Sequence, residues 1–414
     1  MFQRAYAAQC AVPVRFPTEA APARGSAIAL FALAFGTFGI GTGEFGSMGV
    51  LQLFSSSLGV DIPQATNAIA AYAFGVMLGS PVVAVAAAKL HRRTLLLCLM
   101  GLFVFGNVLS SLAPNFGTLL VARFIAGMPQ GAYFGAGAVV ASYFFGPKRA
   151  GKAFALVMSG LTVATIVGSP LATFLGQHLG WRNTYLSVAG LGELSFLALY
   201  LFIPRADALR GRPVLQELSA LRKPNVWLMM GITSLGIASI FAVYTFIGPF
   251  ITDVNRLPAS WIPIALALFG IGMTVGNQIG GHLADTFQYR GLVLGYALTL
   301  VIEVLLALFG ARTWVLMPAL FGMGATTMCA IPTIQVRLTN FAPDAPSLVG
   351  ALNLSALNFA NILGAWGGGI TIAAGYGFLS AAWAGFALTL AGLVLFALTF
   401  GRRGIPALSP ATPT

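Results

Sequence analysis

Four ionisable side chains fall inside long apolar runs of this chain: Glu44, Arg123, Glu193 and Glu303. An unpaired charge at the centre of a bilayer costs about 3 kcal/mol even on lenient insertion scales, so such groups are paired, neutral or in use. The first two have the spacing for proton chemistry. Glu44 comes about 18 residues into its apolar run and Arg123 about five residues into a run of opposite direction, so a helical rise of ~1.5 Å per residue brings them to similar depth. A carboxylate keeps its charge beside an arginine and takes up a proton when that partner leaves an apolar surrounding. The expectation is a Glu44–Arg123 pair whose protonation tips a conformational balance; a static ion pair fixing two helices is the alternative. Glu193 and Glu303 fall near the middle of their runs, where a neutral carboxyl bonded to a neighbouring helix is the simpler role.

A second set of residues suits binding of an uncharged ligand. Asn353, Asn358 and Asn361 share one run and spread over an arc of roughly 140° at 100° per residue, with Trp366 beyond them. Gln130, Tyr133, Tyr244, Asn277 and Gln278 add amide and phenol groups. Neutral donors and acceptors beside aromatic faces fit sugars, nucleosides or aromatic drugs, and interhelical hydrogen bonding is the competing use of a helical Asn. No enzyme constellation accompanies them. His91, His178 and His282 are far apart, and the sequence has no Gly-x-Ser-x-Gly, no His-Glu-x-x-His and no phosphate-binding Gly-x-x-x-x-Gly-Lys, so neither cofactor nor nucleotide is expected and an ion gradient is the expected drive.

The elements that must carry these residues are membrane helices. Hydrophobic residues make up 58% of the chain and charged residues 8%, with a mean hydropathy of +0.88, values that fit a bilayer solvent. About 20 apolar residues span a bilayer, and backbone groups there must bond within their own segment. The pattern predicts twelve helices, near 26–49, 65–88, 94–113, 118–145, 153–176 and 184–203, then 227–250, 261–283, 291–311, 314–337, 347–372 and 378–400. Of the 22 basic residues, all but Arg123, Arg182, Arg256 and Arg312 fall on one set of alternate connections. The positive-inside rule therefore places both termini in the cytoplasm. The net charge of +12 is topological, scattered over short loops without a basic aromatic patch for nucleic acid. Cys10, Cys98 and Cys329 imply no disulfide framework.

The chain reads as two halves. A shift of about 196 residues lays Ala155, Leu156, Ser159, Leu161 and Gly168 on Ala351, Leu352, Ser355, Leu357 and Gly364, and one of about 195 lays Phe74-Gly75 and Gly127-Met128 on Phe269-Gly270 and Gly322-Met323. The expected organisation is a leader over 1–25, a six-helix half over 26–203, a cytoplasmic linker over 204–226 with an amphipathic turn at Val214 to Leu221, a second half over 227–400, and a tail over 401–414. Two parallel repeats about a central site are an alternating-access architecture. On the same shift Pro318 stands opposite Arg123, so the charge is not a shared scaffold feature.

Three segments carry a family resemblance: Gly41-Thr42-Gly43-Glu44-Phe45-Gly46 in the first helix, Arg123 through Gly127 and Gln130-Gly131 in the fourth, and Ala351-Leu352-Asn353 through Gly364-Ala365-Trp366-Gly367-Gly368 in the eleventh. From 26 to 400 the chain resembles the major facilitator superfamily, and more narrowly its drug/proton antiporter branch of arabinose-efflux-permease-like exporters. The resemblance implies an all-α major facilitator fold, acting as a monomer in the cell membrane, and proton-coupled efflux of a small neutral polar or amphipathic solute. A proton-coupled importer is the runner-up, and a saturable, pH-responsive flux separates either from a channel. In that family the loop after the second helix latches the cytoplasmic side, which assigns Lys89, Arg92 and Arg93, and Asp285 and Arg290 in the second half, to gating. The first-half loop, Ala84 to Arg93, lacks the family's Gly and Asp, so mere positive-inside charge is its alternative role. Gly168 and Pro170 resemble the antiporter motif of the fifth helix, a bendable gate; ordinary close packing explains its glycines equally.

Overall fold

The computed structural model describes residues 23–145, 150–210, 215–287, 289–342 and 345–401. Residues 1–22 of the expected leader, 402–414 of the expected tail, and Lys148 and Arg149 lie outside them. Every described element is helical. In chain order the first half holds α1 (Ala23–Gly49), α2 (Ile62–Ala86), α3 (Arg92–Leu112), α4 (Phe116–Gly127 with Gln130–Phe145), α5 (Ala150–Val163, Ala164–Gly168 and Ser169–Leu179) and α6 (Trp181–Phe202). The second holds α7 (Pro224–Tyr244), α8 (Trp261–Phe287), α9 (Arg290–Phe309), α10 (Thr313–Met328 with Ile331–Phe341), α11 (Pro346–Thr371) and α12 (Ser380–Phe396). Among the described residues 11 helices are long and apolar enough to cross a membrane. The twelfth is α4, divided into pieces of 12 and 16 residues at Met128-Pro129, where proline lacks the N–H that would continue the ladder.

Local chemistry sets the ends. Asn115 caps α4 by accepting from the Thr118 backbone while Thr118 reaches back, a capping box; Asp61 caps α2 through the Gln64 amide at 2.6 Å. Gly180, at φ 88°, turns α5 into α6. Within α5 a π-helical turn at Ala164–Gly168 immediately precedes Ser169-Pro170, which is how the helix absorbs the proline. Leu215–Arg222 forms a 3-10 helix in the connection between halves.

In the first half α1 packs on α5 and α6, α3 on α6 and α4, and α2 on α4; in the second α7 packs on α11 and α12, α8 on α10, and α9 on α10 and α12. The halves are joined mainly by α2 with α11 and α5 with α8, and more lightly by α4 with α11 and by α1 with α8 and with Ile247–Pro249 after α7. Glycines mark equivalent points. Gly75 meets Phe124, Gly79 meets Met128 and Gly127 meets Tyr72 as Gly272 meets Phe321, Gly276 meets Ala325 and Gly324 meets Phe269, a shift of 197 residues. The letter-matched Gly270 instead faces Thr165 of α5, so in α2 and α8 the shift of 195 is corrected: matching letters two positions apart put different faces in register. In α5 and α11 the shift of 196 describes the contacts, Gly168 against Thr42 as Gly364 against Ala238.

The halves are hydrogen-bonded to each other at one end and, among the described residues, expose helix positions at the other. Where the connections hold only Arg182, Arg256 and Arg312, Gln52 donates to Thr252 and Asp253 (both 3.0 Å), Gln177 to the Ala259 carbonyl (2.8 Å), and the Trp366 indole to Asn67 (2.9 Å). Toward the basic end Ser159 of α5 and Asn277 of α8 are exposed, and side chains added at Gly281 or Gly350 would meet nothing within 4 Å. Apolar side chains such as Leu194, Leu197, Val301 and Leu305 cover the outer surface.

Candidate functional site

Glu44 and Arg123 are both buried, at 6% and 1% exposure, although each is ionisable. Two close approaches put them there. Gly43 leaves α1 room against Val188 of α6 and Phe103 of α3, and Gly127 lets α4 lie on the Tyr72 backbone of α2. The expected Glu44–Arg123 ion pair is not formed; among the described residues the one ion pair is Arg210–Asp207, on the surface. The Glu44 carboxylate accepts from Gln130 Nε2 at 2.7 Å, and Gln130 Oε1 accepts from the Tyr72 hydroxyl at 2.7 Å. Arg123 donates to the Gly43 carbonyl at 3.1 Å and reaches Asn107 Oδ1 at 3.5 Å. Its guanidinium lies over the rings of Tyr72 and Tyr185, at 4.3 and 5.1 Å. The aromatic faces and the carbonyl preceding Glu44 occupy the arginine, while Gln130 occupies the carboxylate. Arg123 and Tyr244 remain within electrostatic range of Glu44.

The cluster belongs to one half only. By the contact-based shifts, Leu320 stands for Arg123, Phe269 for Tyr72, Thr327 for Gln130 and Ile240 for Glu44. Leu320, and not Pro318, is thus the counterpart of Arg123.

The proposed solute contacts divide. On α11, Gly364 faces Ala238 of α7 while Ser355 bonds the Met77 carbonyl of α2 and Ile362 packs with Ala70 and Ala73. Helical periodicity places Asn358 and Asn361 between those two faces, toward the junction of the halves. Asn361 is fully buried with both amide atoms unpartnered, and Asn358 Oδ1 is unpartnered too. The others have internal work. Gln130 holds Glu44; Tyr133 donates to the Leu33 carbonyl; Tyr244 meets Ser169 at 3.1 Å and stacks edgewise on Phe45 and Phe269; Asn353 donates to Gln335; and Trp366 closes the end described above. Asn277 and Gln278 are exposed on α8.

Of the gating residues, Lys89 is exposed, and Arg93 donates to the Tyr200 carbonyl and lies over its ring at 5.1 Å. His91 Nε2 contacts the Ala206 carbonyl at 3.0 Å. This loop is therefore tied to the end of α6 in its own half. Arg92 is half-buried and Arg290 exposed. The Asp285 side chain lies outside the described residues. Gly168 is buried against Thr42 and Phe38, and Pro170 follows the π-helical turn. Glu303 is fully buried facing Gly385 and Ser239, with neither carboxyl oxygen in a hydrogen bond, so the expected bond to a neighbouring helix is not formed. Glu193 departs from the expected interhelical bond: it is exposed on α6, beside a shallow groove lined by Gly101, Val104, Phe105, Val108 and Phe196, because its position continues the outward face of Gly190 and Leu197. Tyr72, Asn107 and Tyr185 are the site residues that sequence reasoning missed. Lone tyrosines and an asparagine in apolar runs carry no spacing signal, since their partners are on other helices.

A model of the Major Facilitator Superfamily matches residues 33–258. The chain is 38% identical over 367 residues to the inner membrane transport protein YdhP of Escherichia coli (strain K12), covering 87% of this chain and 94% of that protein. It is 31% identical over 349 residues to the putative transporter AraJ of the same strain, covering 84% and 88%. With the chloramphenicol resistance protein of Streptomyces lividans it shares 31% over 389 residues, covering 93% and 99%. Among solved structures, a bacterial homolog of the human lysosomal transporter Spinster, in an inward-facing and unoccupied conformation, superposes with a TM-score of 0.64 at 15% identity, covering 91% of this chain and 96% of that one.

Proposed function

The chain belongs to the Major Facilitator Superfamily, a family of transporters and not of enzymes, and from that premise we propose that it exports a small neutral polar or amphipathic solute in exchange for protons. The observation that carries the reading is the buried Glu44, bonded to Gln130 and within range of Arg123, in one half only. A carboxylate there has a proton-accepting atom but no ion-pair partner locking its charge. Efflux is favoured by the resistance named for one relative. The proposed solute contacts are Asn358 and Asn361, whose unpartnered buried amide atoms lie toward the junction of the halves; such atoms are costly unless a ligand or water meets them. With the basic connections in the cytoplasm, the arrangement is closed outward and parted inward, and the carrier works as a monomer in the bacterial cytoplasmic membrane.

The test is solute flux in proteoliposomes with and without an imposed pH gradient, using solutes selected by a thermal-shift screen of sugars, nucleosides and antibiotics, since a ligand of the folded state raises apparent stability. Counterflow of solute and protons is expected. Flux in the same direction as the proton makes the protein an importer, and flux that neither saturates nor follows the pH gradient defeats the carrier reading.

A further inference from the structure

Gln130 is set between two hydroxyl- and carboxyl-bearing side chains in a way that ties its amide orientation to a proton. An ionised carboxylate only accepts hydrogen bonds, so the Gln130 amide must present Nε2 to Glu44 and Oε1 to the Tyr72 hydroxyl, as observed at 2.7 Å each. A protonated Glu44 carries an O–H that donates to Oε1. The amide then turns over, and Nε2 donates to the Tyr72 oxygen. In both arrangements Gln130 bonds to Glu44 and to Tyr72; what changes with the proton is that the Tyr72 hydroxyl donates to Gln130 in one and accepts from it in the other. The triad is buried, with Glu44 at 6%, Gln130 at 2% and Tyr72 at 1% exposure, where water does not compete for these bonds.

We propose that Gln130 is a reversible amide relay that converts the protonation of Glu44 on α1 into a change of hydrogen-bond direction at Tyr72 on α2. The proposal rests on Glu44 being the proton site. Tyr72 is well placed as receiver. Its ring supports the Arg123 guanidinium at 4.3 Å, and with Val76 and Ala126 it packs against Leu354 of α11 in the opposite half. In the turned-over state the Tyr72 proton no longer points at Gln130, so the groups around it and the α2–α11 contact experience the change. The charged and titratable groups facing Glu44 are Arg123 from α4, Tyr72 from α2 and Tyr244 from α7, with Tyr185 of α6 behind Arg123. Gln130 is a positioning residue: it neither binds solute nor carries the proton.

The experiment measures, by spin-label distance between Ser159→Cys and Gly281→Cys in the otherwise cysteine-free full chain in nanodiscs, the pH at which α5 and α8 change separation. Glu44→Gln should abolish the pH response. Gln130→Met, which keeps the volume and loses the amide, should raise the midpoint by about one pH unit or more, the worth of a hydrogen bond to a charged group. Tyr72→Phe should move the midpoint in the wild-type background and leave it unmoved in the Gln130→Met background, since a residue acting through Gln130 has nothing left to act on; Gln130→Ala repeats the cycle if Gln130→Met is not recovered folded. A response that survives Glu44→Gln, or a wild-type distance that ignores pH, sinks the proton site and the relay together. If Glu44→Gln is flat but Gln130→Met keeps the wild-type midpoint, or Tyr72→Phe shifts both backgrounds equally, the relay is wrong and the proton site stands.

Discussion

Arg123 is held by two tyrosine faces and a backbone carbonyl, so its planarity matters as much as its charge. Lysine keeps the charge but cannot fill the sandwich, and desolvated cation–π contacts are worth about 2 kcal/mol. Arg123→Lys should therefore lower the melting temperature of the purified protein and cut transport at least about tenfold, a loss of that size at the active conformation; wild-type melting and flux would refute the sandwich as a functional element. Glu44→Gln should behave differently. It retains an acceptor oxygen for Gln130 but has no exchangeable proton, so accumulation driven by a pH gradient should vanish while downhill exchange of solute persists, as measured by vesicle flux with and without the gradient. Accumulation that persists moves the proton site to Glu303 or Glu193.

The helices depend on backbone approaches that only a missing side chain allows. On α5, Gly160 lies against the Ala34 carbonyl and the Phe38 amide of α1, whereas Gly135 of α4 has nothing within 4 Å. Gly160→Val should cost at least about 2 kcal/mol by overpacking against backbone, seen as lost expression and a lower melting temperature, while Gly135→Ala should match wild type. The twelve helices were readable because span length and hydropathy are properties of a single segment. The break at Met128-Pro129 and the π-helical turn before Pro170 were less so: proline announces a fault but not which ladder bonds rearrange. The repeat was visible in the letters, yet a match of Phe-Gly with Phe-Gly does not reveal which face each glycine presents, and the α2/α8 contacts required another register. At the site, Glu44, Arg123 and Gln130 stood out as polar groups in apolar runs. Their pairing did not, because an arginine at the right depth finds carboxylate and tyrosine equally plausible, and Tyr72 gives no sign of its partner 58 positions away.

At the scale of the whole molecule, the two halves are fastened at one end by Gln52, Gln177 and the Asn67–Trp366 pair. Each such bond contributes about 1 kcal/mol, or a roughly fivefold change in a two-state population. Gln52→Ala and Trp366→Phe should each shift the balance toward the state open at that end, measured as a lengthened share of the spin-label distances across it; unchanged distributions would show that the fastening lies in apolar contacts instead. The donors at this end are amides and an indole, and of their acceptors only Asp253 bears a charge. Exposed ion pairs weaken as salt rises, because the screening length is about 10 Å at 0.1 M and about 3 Å at 1 M, whereas bonds between neutral groups do not. A closure made mostly of amides therefore holds with similar strength in dilute and in saline surroundings.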